Sequence, residues 1–249
     1  VVAVSQGGST HFAKQRGDEI QRLCEKGFAV CLVDVRGTGE TSLGDDRGRG
    51  GRATSVSSSH LMLDETLLGL RLHDLRSVLA WLGARADVDG RRVIVWGDSP
   101  TAPLDAPAMP IVPHLVDGRP REAEPLGQIL ALLAALYEPN VRGVIARGGI
   151  TSISDVLARP AVGVPHDLVV PGVLTRTDLP DLVAALSPLP IRLEGLVDAG
   201  NCKATSSQLD SVYGVARLAY RKDNAESKLA VSESRDDSLA ETLSDWIAK

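Results

Sequence analysis

Six short aliphatic runs, separated by stretches with helical spacing, constrain this chain more than any other feature. The runs fall at residues 1–5, 28–35, 92–96, 141–146, 191–197 and 229–232. Such alternation predicts parallel βα units, because two parallel strands need a long crossover and a helix is the usual one. The 28–35 run, Phe-Ala-Val-Cys-Leu-Val-Asp-Val, is almost continuous, as for a strand buried on both faces. Helices are expected over 13–26, with Phe12, Ile20 and Leu23 on the apolar side, and along the stripe Leu67, Leu68, Leu72, Leu75, Val78, Leu79, Leu82. Further helices are expected over 124–138, 178–186, 207–221 and 237–248. The expected fold class is α/β: a doubly wound, mostly parallel sheet of about six strands flanked by helices. Chemistry in such sheets sits beyond the carboxyl ends of the strands.

The 249 residues suit one domain over 1–249. A net charge of −5 argues against nucleic acid or an anionic membrane as partner. No run approaches the ~18 apolar residues of a membrane span. Cys24, Cys31 and Cys202 are odd in number and lack metal-ligand spacing, so neither a disulfide framework nor a zinc site is expected, and no cofactor motif is present. The chain opens inside a strand with no signal peptide, which reads as a trimmed product or a fragment of a longer parent chain and leaves the compartment open.

Two segments break the regular pattern. Residues 36–59 form a loop rich in Gly, Arg and Ser, including Arg-Gly-Arg-Gly-Gly-Arg at 47–52, which is either a solvated loop or an anion attractor. Residues 100–123 are a proline-rich insertion: Pro100, Pro103, Pro107, Pro110 and Pro113 each lack an amide donor and crowd a helical turn. A third excursion, 151–177, is a candidate cap and contains Val-Pro-His-Asp at 164–167.

The most informative string is Trp96-Gly97-Asp98-Ser99-Pro100-Thr101 at the end of the third run. A strand that ends in Gly-x-Ser on a sharp turn presents the hydroxyl above the sheet as a nucleophile elbow. Thr101 stands where the second Gly of Gly-x-Ser-x-Gly is usual, and a plain strand-end turn with an exposed Ser is the alternative. Arg36-Gly37-Thr38-Gly39-Glu40 lacks the spacing of a phosphate-cradling loop and reads as a tight turn.

The segments 27–41 and 178–198, together with the Ser99 elbow and its preceding helix, resemble bacterial α/β-hydrolases of the acetyl-xylan-esterase and prolyl-oligopeptidase-like group. The resemblance implies an α/β-hydrolase fold without the N-terminal antiparallel strands. It also implies carboxylic-ester hydrolysis, with a small-molecule ester or acetylated carbohydrate as substrate. Ser99 matches the nucleophile. Asp198 matches the acid that orients an imidazolium, with a solvated loop carboxylate or cap as the alternative. Gln6, Gly7 and Gly8 match the loop that lends an amide to the oxyanion hole, or else form a plain turn.

The sequence departs from that pattern twice. The region after the last strand reads Ser232-Glu233-Ser234-Arg235-Asp236 where the family places a general-base His, and no His follows His166. The residue after the nucleophile, whose amide normally completes the oxyanion hole, is Pro100. Of His11, His60, His73, His114 and His166, the last is the first candidate for a substitute base, and a structural histidine is the alternative. Asp167 adds little beside it, since adjacent residues seldom point together. The expectation is a serine hydrolase of esterase type with a non-standard or degenerate triad. The alternative is a catalytically inactive hydrolase-fold domain that binds a ligand or protein. An exposed edge at 1–5 would favour self-association.

Overall fold

A computed structural model describes residues 1–42, 52–105, 121–159, 163–235 and 239–248. The elements run β1 (Val2–Ser5), α1 (Gly8–Glu25), β2 (Cys31–Val33), α2 (Arg52–Met62), α3 (Leu67–Gly83), β3 (Val93–Asp98), α4 (Leu126–Tyr137), β4 (Val141–Arg147), α5 (Ser154–Leu157), α6 (Leu179–Ala185), β5 (Ile191–Glu194), α7 (Ser206–Val212), α8 (Gly214–Lys222), β6 (Leu229–Ser232) and α9 (Leu239–Ala248). The six strands form one sheet in the order β2-β1-β3-β4-β5-β6, and every pairing is parallel. The expected fold class is the one observed.

The strands alternate faces with period two. Val93 and Val95 face α3, α4 and α6, in a core that includes Leu75, Leu79, Leu130, Val144, Val183 and Ile191. Ile94 and Trp96 face the other way, toward Phe12 and Leu23 of α1 and Leu243 of α9. Phe12 meets Trp96 edge to face, with ring centroids 4.8 Å apart. Aromatics are only 3% of the chain, so the rest of the core is aliphatic.

Strand order reverses between β1 and β3: the chain leaves β1 to one side through β2, then returns past β1 to build the rest of the sheet. The loops after β1 and β3 therefore diverge at the switch point, where doubly wound sheets open a crevice. Ser5 of β1 and Asp98 of β3 pair at that end, so residues 6–8 and Ser99 flank it.

Four expectations are corrected. The run at 1–5 is not an exposed edge: β1 is buried and paired on both sides, with β2 and β3. The 28–35 run is an edge strand rather than a doubly buried one: only Cys31–Val33 pair, and only with β1, so Cys31 and Leu32 stay half-buried. The loop expected up to residue 59 gives way to α2 at Arg52. Its Ser-rich composition hides a helix held by tertiary contact, for Ser57 is buried and its hydroxyl donates to the carbonyl of His166. The helix expected over 207–221 is two, α7 and α8, meeting at Tyr213. Tyr213 is buried and donates its hydroxyl to the carbonyl of Thr151, and burial pushes that phenol above its usual range. No described helix is long and apolar enough to cross a membrane.

Candidate functional site at the carboxyl ends of β1 and β3

The chain leaves β3 at Ser99, and no helix follows directly, because Pro100 and Pro103 come first. The helix that packs on β3, α4, starts 27 residues later at Leu126. It nonetheless abuts the strand end closely: a Cβ on Gly97 would lie 2.1 Å from the carbonyl oxygen of Gly127, and one on Gly127 would lie 2.7 Å from the Asp98 amide nitrogen. Asn201 holds the departing and returning chain together. Its side-chain amide donates to the carbonyls of Ala102 (3.4 Å) and Arg121 (3.1 Å), and its own carbonyl accepts from the Leu104 amide. The insertion thus leaves and re-enters at one place, bringing Glu124 back beside Ser99.

Ser99 is 1% exposed. Its amide donates to the carbonyl of Arg147, which carries the β3–β4 ladder one residue further. Its carbonyl accepts from Arg235 Nη2 at 2.7 Å. Its hydroxyl faces Glu124, with Oγ and Oε2 3.4 Å apart. The positive-φ residues other than glycine, among those described, are Asp64, Asn201 and Asn224. Ser99 therefore sits at a strand end without the left-handed backbone and immediate helix of a sharp elbow.

The other sequence candidates lie elsewhere. Asp198 is held in its own turn: Oδ1 accepts from the amides of Gly200 (2.8 Å) and Cys202 (2.9 Å), and Oδ2 pairs with Arg159 at 2.7 Å. It borders a cavity of about 330 Å³ with Thr151, Asp155, Arg159 and Gln208. His166 Nδ1 lies 3.1 Å from Ser57 Oγ, and among the described residues no hydrogen bond joins His166 to Ser99 or Asp198. The chain beside it does reach the switch point: Gln6 Nε2 donates to Asp167 Oδ2 at 3.1 Å, and Arg71, 1% exposed, pairs with the same oxygen at 2.6 Å. Asp167 is therefore the structural partner here, which adjacency to His166 did not indicate.

Gly7 and Gly8 open α1. Gly8 has φ +78°, and a Cβ there would fall 2.3 Å from the backbone of Gly39. Asp34 joins the two turns by accepting from Ser9 N, Ser9 Oγ and Glu40 N. Gly8 is thus required by close packing. His11 is exposed, with its ring near Gly7; His60 pairs with Glu65 at 3.0 Å; His73 is exposed on α3. His114, Asp236, residues 106–120 of the insertion, 43–51 of the basic loop and 160–162 of the cap excursion lie outside the described residues.

Behind Ser99 runs a row of charges in register: Asp98 of β3 stands beside Arg147 of β4, and Arg147 beside Glu194 of β5. Arg16 of α1 grips Asp98 through two bonds of 2.8 and 3.0 Å. Arg147 pairs with Glu194 at 2.8 Å and with Glu19, and Arg192 pairs with Glu194 at 2.7 Å. Arg235 comes to this row from the segment after β6. Burial pushes its guanidinium below the usual range and Arg16 and Arg147 add to that, while Asp98 pulls the other way. Burial works in the same sense on Arg16, but the bonds and charge of Asp98 and the charge of Glu19 outweigh it and raise its pKa.

Glu124 and Arg235 are the two site residues that sequence reasoning missed. Arg235 could have been suspected from its place after the last strand. Glu124 carried a fainter signal, an acid just before Pro125 at the start of a helix. Among the described residues no group of three or more His, Cys, Asp or Glu could hold a metal ion.

No protein-family model matches the chain, and no curated protein does. Among solved structures, one described as a putative acetyl xylan esterase from Bacteroides fragilis NCTC 9343 shares its fold, with a TM-score of 0.65. Identity is 17% over 93% of this chain, which spans 57% of the length of that one. At that identity the likeness is one of fold.

Proposed function

We propose that this protein hydrolyses carboxylic esters of small acyl groups, with Ser99 as nucleophile at the carboxyl end of β3. The observation that carries the reading is the placement of the Ser99 hydroxyl against the Glu124 carboxylate at the β1/β3 switch point. A serine hydroxyl becomes nucleophilic when a neighbouring base takes its proton, and Glu124 is the one side-chain partner of that hydroxyl among the described residues. The fold shared with a protein described as an acetyl xylan esterase adds support for acetyl esters as substrate class. Gly7 and Gly8, at the end of β1, would approach the acyl oxygen from the other side of the crevice.

A second reading is favoured by particular contacts: a hydrolase-fold domain that binds without catalysis. Ser99 is almost wholly covered, its carbonyl is taken by Arg235, Pro100 offers no amide, and Asp198 is committed to Arg159. Loss of one oxyanion donor alone typically costs ~10²–10³ in rate.

Reaction with a fluorophosphonate probe, the modified peptide being located by mass spectrometry, separates the two. Labelling at Ser99 together with aryl-acetate turnover abolished by Ser99→Ala is the expected result. A folded protein that neither labels nor turns over the ester leaves the binding domain as the reading.

A further inference from the structure

A serine without an imidazole beside it needs another way to lose its proton. The described surroundings of the Ser99 hydroxyl supply one basic side chain, Glu124. Its placement follows from the fold. The Ala123 N–H donates a hydrogen bond to the Gly163 carbonyl, Asn201 grips the Arg121 carbonyl, and α4 begins at Leu126 with Gly127 locked against Gly97. Glu124 is held between these anchors, partly exposed, while Ser99 beneath it is buried. It also precedes the amino end of a 12-residue helix, where a negative charge is favoured.

We infer that Glu124 is the general base for Ser99, forming a serine–carboxylate dyad selective for acyl esters with good leaving groups; this rests on the esterase reading above. The separation of 3.4 Å is longer than the 2.5–3.0 Å of a tight O–H···O bond. Catalytic hydrogen bonds are often loose before substrate binds and tighten in the complex. In the forward step the Ser99 Oγ–H proton passes to the Glu124 carboxylate as Oγ bonds to the acyl carbon. The tetrahedral adduct collapses by breaking the bond to the leaving oxygen, which takes the proton from Glu124. Water then attacks acyl-Ser99, giving its proton to Glu124, and the carboxylic acid departs as Ser99 Oγ recovers that proton. No other reactant is required.

Selectivity follows from basicity. A carboxylate is about two pK units less basic than an imidazole. It therefore gives less help in forming the adduct, so an ester whose carbonyl is already activated by a weakly basic leaving group reacts fastest. Phenyl and enol acetates are accordingly better substrates than alkyl acetates.

The test compares kcat for p-nitrophenyl, phenyl and ethyl acetate in the intact chain, Ser99→Ala, Glu124→Gln, Glu124→Asp and Glu124→Ala, each checked for a native circular-dichroism spectrum and melting curve. Ser99→Ala should abolish turnover, Glu124→Gln should lower kcat by ~10²–10⁴, and formate should restore Glu124→Ala by ~10-fold or more. Aryl over alkyl preference should be steep. Turnover lost in Ser99→Ala but kept within about threefold in Glu124→Gln overturns the base assignment and leaves the esterase reading standing. A folded Glu124→Ala that formate does not restore also overturns it, leaving Glu124 as a packing residue. Should Glu124→Gln fail to fold, formate rescue of a folded Glu124→Ala carries the comparison: turnover restored by formate supports the dyad, and none restored overturns it. If the intact chain is inert, or Ser99→Ala is as active as the intact chain, the esterase reading falls and the dyad with it.

Discussion

Gly97 and Gly127 meet so closely that a Cβ on Gly97 would lie 2.1 Å from the Gly127 carbonyl oxygen and 2.7 Å from the Gln128 amide nitrogen. Both obstacles are backbone, so neither can rotate away. Gly97→Ala must push α4 off the end of β3, and overpacking of this kind costs about 1–3 kcal/mol. The variant should unfold at lower urea concentration with an unchanged slope. A midpoint equal to that of the parent would mean that α4 is free to slide.

Arg71 and Asp167 form a buried pair at 2.6 Å, with side chains 2% and 5% exposed. Removing one partner strands the other, at about 3–5 kcal/mol. Arg71→Met and Asp167→Leu should each destabilise strongly, while the double variant should be more stable than either, because no uncompensated charge remains buried. Among the described residues Asp167 Oδ1 has no hydrogen-bond partner, so the pair is incompletely satisfied to begin with. A double variant as unstable as the sum of the singles would show that the pair is needed for positioning 166–168 over Gln6 and not for charge balance.

The strands were legible because their aliphatic runs are local signals; their order was not. Whether 28–35 is an edge or a central strand depends on which partners arrive from elsewhere, and residues 31–33 find only β1. α2 was unreadable because a run such as Ser55-Val56-Ser57-Ser58-Ser59 has weak helix propensity and is ordered by contact with His166. Ser99 was readable from Gly-x-Ser after a strand, yet its partner was not, since 25 residues separate Ser99 from Glu124 and Asn201 closes the excursion through contacts distant in sequence.

Arg36 and Asp74 give a pH-dependent term. Burial acts to raise the Asp74 carboxyl, but hydrogen bonds from the Arg36 side chain and amide, with its charge, outweigh it and hold the carboxyl below the usual range. A group depressed in the fold contributes stability above its unfolded pKa and loses it as pH falls through the folded value. The contribution is therefore present at neutral pH and fades in acid, below roughly pH 4. Arg36 is 42% exposed, so solvent screening limits the effect to about 1 kcal/mol or less. Asp74→Asn should lower the melting temperature at pH 7 and converge with the parent near pH 2; a constant offset at both would assign the loss to packing.

Arg235 donates to the Ser99 carbonyl at 2.7 Å from among three other arginines of the charged row, Arg16, Arg147 and Arg192. Its bond to that carbonyl is charge-assisted, worth about 1.5–3 kcal/mol, and burial opposes it. Asp98 is the anion that offsets this cost, and it also holds Arg16. Arg235→Met should then destabilise by about 1–3 kcal/mol, and Asp98→Asn by about 3–5 kcal/mol because it leaves Arg16 with only its longer, 3.7 Å contact to Glu19. Their effects should not add. Once Asp98 is neutral, only Glu19 offsets Arg16 and Arg147 around Arg235, so deleting Arg235 in that background should cost less. A double-mutant cycle by urea unfolding should return a coupling of about 0.5–3 kcal/mol. Strict additivity would mean that Arg235 feels only the Ser99 carbonyl, and that the charged row behind the serine does not reach it.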